Sequence, residues 1–130
     1  AQLADHYNSK WIGTYILDEN HQPVKANTLT WARWHEDFDN RSVAQTYTEH
    51  YHISTICLGI DHGWGKGPPV LFETMVFGKN VVSIKTGTGT GIEHDMERYC
   101  TWEEAEKGHA EMVRRVLEFE QGQSPQEKDE

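Results

Sequence analysis

The chain has 130 residues, a net charge of −9 at pH 7 and 11% aromatic residues. Its length predicts one domain, and its aromatic content separates it from acidic disordered chains, although Leu, Ile, Val and Phe make up only about a fifth of it. Scattered Lys and Arg under an excess of acids argue against direct nucleic-acid binding, and no apolar run approaches the roughly 20 residues of a membrane-spanning helix.

The polar start AQLADHYNSK lacks a basic region followed by an apolar one, so it does not read as a secretory signal. Cys57 and Cys100 are therefore expected as reduced, buried thiols in a cytoplasmic setting. The eight histidines, all protonated, would bring the net charge close to zero, so solubility is expected to fall near pH 6.

Along the chain, Lys10–Asp18 is apolar on both faces and predicts an interior strand. ENHQP turns the chain. Asn27 or Thr28 then caps a helix over roughly 28–38, with Trp31, Trp34, His35 and Phe38 on one stripe. Val43–Ile60 is too long for one ordinary strand and predicts two, with Glu49 and His50 at the corner. Ile53, Thr55 and Cys57 point one way, Ser54, Ile56 and Leu58 the other. Asp61–Pro69 (DHGWGKGPP) is a Gly- and Pro-rich loop. Val70–Phe77 is the next strand, residues 81–85 a short one, TGTGTG a flexible link, and Glu97–Cys100 a final short strand.

The last helix, over roughly 102–119, opens on a capping box, Thr101-Trp102-Glu103-Glu104. Ala105, His109, Met112, Val113, Val116 and Phe119 give its apolar stripe. Residues 121–130 have no apolar side chain and read as a disordered acidic tail after a single domain over 1–120. The predicted fold is α+β, a mostly antiparallel sheet of about four to six strands packed with two helices.

Three groups of residues could carry chemistry. His50-x-His52 on an extended strand puts two imidazoles on one face, about 7 Å apart. With His62 and a carboxylate they could hold a divalent metal such as Zn or Fe. The simpler alternative is a solvated strand face and loop, with no cofactor. His50-x-His52 also resembles the first half of a cupin metal motif, but Ser54-Thr55-Ile56-Cys57 follows where that motif carries a Glu.

The loop Asp61-His62-Gly63-Trp64-Gly65-Lys66 is the second group. Its glycines let backbone approach a ligand, Trp64 offers a stacking face, and Lys66 could meet an anion. No Gly-Lys-Ser/Thr follows, which excludes a nucleotide-binding P-loop. An ordinary hairpin loop is the simpler alternative. Third, Glu73 sits in an apolar strand, where a charge is costly unless paired; it either faces solvent on an edge or marks a site with a partner such as Arg98 or Arg33. Trp31 and Trp34 read as core, with an exposed binding anchor as the alternative.

The segments LTWARWHE, ISTICLGIDHGWGKGPPVLFETMVFG and RYCTWEEAEKGHAEMV resemble a group of small uncharacterised proteins of tailed bacteriophages and prophages. The resemblance runs over about residues 11–117 and departs at Lys79–Asp95 and in the tail. It implies a phage accessory product working in a bacterial cytoplasm, and it carries over no catalytic residue. The expected function is an interaction protein that engages a host or phage component, with anti-defence action suggested by its acidic charge. A metal-binding protein or metal-dependent enzyme, and a virion-associated structural protein, are the alternatives.

Overall fold

The computed structural model describes residues 13–79 and 95–122. The expectations for residues 10–12, for 81–85 and TGTGTG, and for 123–130 lie outside them. The described residues form an α+β fold, as the sequence predicts, with two antiparallel sheets in place of the single one expected.

The larger sheet has strands β3 (Ser42–Tyr47), β4 (Tyr51–Cys57), β5 (Phe72–Gly78) and β6 (Met96–Tyr99), in that order and antiparallel throughout. The expected corner at Glu49 and His50 separates β3 from β4. Register brings Thr46, Ile53 and Val76 into one row, and Ala44, Thr55 and Thr74 into the next. This face meets helix α3 (Trp102–Gly122), which buries Ala105, His109, Met112 and Val116 at helical spacing.

Ile53, Val76, Met112 and Val116 form one closed cluster, flanked by Tyr51, Val113 and Phe119. Each fully buried side chain of this size contributes about 1.5–3 kcal/mol. The capping box is formed: Thr101 Oγ1 accepts from the Glu104 N–H at 3.0 Å, and Glu104 Oε1 accepts from the Cys100 and Thr101 N–H groups. The helix runs on through Gln121 and Gly122, two residues that the sequence reading had placed in the tail.

The first strand departs from expectation. β1 (Tyr15–Leu17) is not interior to the large sheet; it pairs with β2 (Pro23–Lys25) in a separate two-stranded hairpin. Asp18 causes the tight reversal, since its Oδ1 accepts from the N–H groups of Asn20 and Gln22. The Thr14–Ile60 bridge, with the Tyr15 N–H donating to the Gly59 carbonyl at 2.7 Å, ties this hairpin to the chain just past β4, and Tyr15 and Leu17 pack on the cluster that holds Cys57. His21, at the turn with φ +62°, stacks on Trp102 at 3.6 Å, clasping the hairpin to the start of α3.

The expected first helix divides at Asp37. Helix α1 (Thr28–Glu36) is capped by Asn27, and the extended Asp37 then caps a single turn, α2 (Phe38–Arg41), through the Asp39 N–H. Phe38 thereby leaves the apolar stripe and lies 44% exposed under the Arg41 guanidinium. The tryptophans follow the core reading. Trp31 Nε1 donates to the Leu58 carbonyl at 3.3 Å, and Trp34 packs on the cluster of Cys57, Leu71, Phe72 and Ala105. Gly59 makes this close approach possible: at φ +73° a Cβ would meet the Trp31 indole and lie 2.7 Å from the Tyr15 carbonyl.

Candidate functional site

The Asp61–Pro69 loop leaves the end of β4 and returns towards β5. Its first residue organises the rest. Asp61 is 4% exposed. Its Oδ1 accepts from the N–H groups of Gly63 at 2.7 Å and Val70 at 2.9 Å, and Oδ2 accepts from Gly65 at 3.1 Å. Burial raises the carboxyl pKa, but these three backbone donors outweigh it and hold the group below the usual carboxylate range. Asp61 is thus the anion that fills the loop's own ring of N–H groups.

With the base closed in this way, the loop tip is presented outward. Trp64 takes φ +58°, a left-handed conformation that a bulky residue adopts only at a cost of about 1–3 kcal/mol. Its side chain is 73% exposed. Gly65 and Gly67 continue the same hand. Lys66 is exposed, and its backbone N–H closes onto Gly63 O at 3.1 Å. His62 turns inward: its Nε2 is buried with no hydrogen-bond partner among the described residues. Cys100 borders the loop, its Sγ 3.8 Å from the Pro68 carbonyl. Burial and the nearby Glu104 and Asp61 carboxylates raise its thiol pKa.

The candidate metal ligands are dispersed. His50 is in the β3–β4 turn, with its ring 3.8 Å from Glu49 and most of its side chain exposed. His52 is at the start of β4. Its Nε2 lies 2.7 Å from Gln45 Oε1, and its ring stacks on Tyr47 at 4.3 Å. His62 lies ten residues on from His52, beyond the other end of the same strand. No group of three His, Cys, Asp or Glu side chains placed to hold a metal ion occurs among the described residues.

Glu73 pairs with Arg98 at 3.1 Å, directly across from it on β6, and Arg33 instead stands exposed on α1. The cysteines are not joined to each other.

The sequence places His109 on the apolar stripe of the last helix, where a Cys100–His109 pair is the alternative to core packing. In the fold His109 is 6% exposed and both ring nitrogens are engaged, Nε2 with Thr46 Oγ1 and Nδ1 with Thr55 Oγ1, each at 2.7 Å. Thr55 Oγ1 in turn lies 2.5 Å from Thr74 Oγ1. Hydroxyls from β3 and β4 thus hold one ring from α3, and a third, from β5, backs Thr55. Burial pushes the His109 pKa down, and the neighbouring His52 pushes it the same way, so the ring is kept neutral. The signal available in sequence was a polar residue within the stripe, but its partners come from three other segments.

No helix among the described residues is long and apolar enough to cross a membrane. Compared with known proteins, the chain matches no family model, no curated protein and no solved structure.

Proposed function

We propose that this chain is a bacteriophage accessory protein that binds a host or phage protein in the bacterial cytoplasm through its Asp61–Pro69 loop. Trp64 carries the reading: an indole 73% exposed, held in a left-handed conformation on a loop whose base is closed by a buried carboxylate. An exposed Trp on a preorganised loop suits binding, because Trp side chains dominate interface energies and little ordering entropy remains to be lost on contact. The phage setting rests on the resemblance of LTWARWHE, ISTICLGIDHGWGKGPPVLFETMVFG and RYCTWEEAEKGHAEMV to phage proteins. The net charge of −9 suits an anti-defence role against a basic host surface.

The test is site-specific photocrosslinking in living bacteria. A benzophenone amino acid at Trp64 is expected to give one discrete protein adduct, and the same group at exposed Lys25 is expected to give none. Absence of an adduct at Trp64, or the same adducts from both positions, would overturn the reading.

A further inference from the structure

The free edge of the large sheet forms a second surface, away from the loop. β3 ends the sheet. The Thr48 N–H donates to the Tyr51 carbonyl at 2.8 Å and closes the turn into β4. Antiparallel alternation then assigns the next ladder bonds to Thr46 and Ile53. Gln45 and Tyr47 therefore turn their N–H and C=O groups away from β4, leaving two donors and two acceptors at the edge.

Natural edge strands are usually blunted by charge, proline or a bulge. This one reads SVAQTY, with no charge and no proline, and its register shift between Ser42 and Ala44 breaks only the start. Tyr47, at the other end, is 65% exposed.

Helix α3 walls this edge on one side. His109 and Glu120 reach towards β3, through Thr46 and Thr48. Arg115 reaches Asp95 beside β6, and Gly108 abuts Tyr99. At 100° per residue, Ala110, Val113 and Leu117 then lie on the β3 flank. Leu117 is 45% exposed, although it borders the core residue Val116.

The rim of this flank is acidic, with Glu103 and Glu106 exposed on α3 and the Glu49 side chain 81% exposed in the turn. A second copy of the chain offers no complement, because its own edge has no basic residue and its net charge is −9.

We infer that the groove between β3 and α3 takes up, as an added strand, an extended segment of another protein in which apolar and basic residues alternate. The period of a strand explains the alternation. One face of the segment lies on Ala110, Val113 and Leu117. The other sets cations over the Tyr47 ring and beside Glu49.

The probe is an acetylated peptide of alternating Val and Lys, titrated into the full chain and followed by amide NMR. The Gln45 and Tyr47 amides are expected to shift and to exchange more slowly. Leu117→Lys, a surface change, is expected to weaken binding about tenfold. Tyr47→Pro, which removes an outward N–H, is expected to abolish it. If Tyr47→Pro unfolds the chain, Leu117→Lys carries the test.

Equal binding of a Val–Glu peptide, binding unaffected by Leu117→Lys, or no shift at Gln45 and Tyr47 would overturn the inference. A concentration-dependent shift of the same amides in the free chain would assign the edge to a second copy and overturn it too.

Discussion

Asp61 and His109 are both ionisable and both almost fully buried, at 4% and 6% exposure, yet the fold treats their charges in opposite ways. Asp61 is surrounded by backbone N–H groups, which only donate, so the carboxylate is the favoured form despite burial. His109 faces hydroxyls, which can donate or accept, and no carboxylate is bonded to it; the neutral ring is favoured. Burial alone therefore does not decide ionisation; the chemistry of the surrounding donors does. The two sites also differ in range. Asp61 draws on residues two, four and nine positions away, whereas His109 draws on residues more than fifty positions away.

The strongest way to break this comparison is Asp61→Ala. It leaves three loop N–H groups without their acceptor, and a loss of about 3 kcal/mol is expected in urea unfolding, with faster amide exchange confined to Gly63, Gly65 and Val70. His109→Leu keeps the volume but strips the ring from Thr46 and Thr55. Here we expect a loss of about 2 kcal/mol at pH 8, with exchange quickening in α3 and β3 together and the loop untouched.

Titration sharpens the contrast further. His109 has a folded pKa below its unfolded value near 6.5, so its contribution is full above that pH and declines as pH falls from 6.5 towards the folded value. Asp61 has a folded pKa below 3.8, so its contribution holds until pH drops beneath 3.8. Urea midpoints measured from pH 8 down to pH 3 should fall first around pH 6 and again near the acid limit. His109→Leu should shrink the first fall without erasing it, because burial also lowers His52 and His35. An unchanged first fall in that variant would remove His109 from the account. The smallest effect belongs to Trp64→Gly: relief of the left-handed backbone offsets the added freedom of the unfolded chain, and stability should stay within about 0.5 kcal/mol.

What could be read from the sequence follows the same local-versus-distant division. The capping box at Thr101 and Glu104, the stripe Ala105–His109–Met112–Val116 and the corner at Glu49 and His50 are short-range patterns, and each occurs where the pattern puts it. β2 is only Pro23–Lys25, too short to show a period, and its existence depends on Asp18 folding the turn. The split at Asp37 came from a residue that caps a new turn where the periodicity suggested continuity.

In the loop, Asp61 followed by glycines two and four positions later is a legible sign of a carboxylate bonded to its own backbone. The meeting of Thr46 with Thr55 and Thr74, from adjacent rows of the sheet, beneath His109 depends on strand register, which no short window of sequence displays.

The two thiols have a practical consequence. Cys57 is fully buried, and burial, only partly offset by the Gly59 N–H and Arg41, pushes its pKa up to about 12. At pH 8 about one molecule in ten thousand carries that thiolate, so alkylating reagents should pass it by. Cys100, half-buried beside Pro68, is left as the site that a maleimide dye would find in the unmodified chain. Such a dye would sit beside Pro68, at the foot of the loop that holds up Trp64, and a change in its brightness would report that the loop has been engaged.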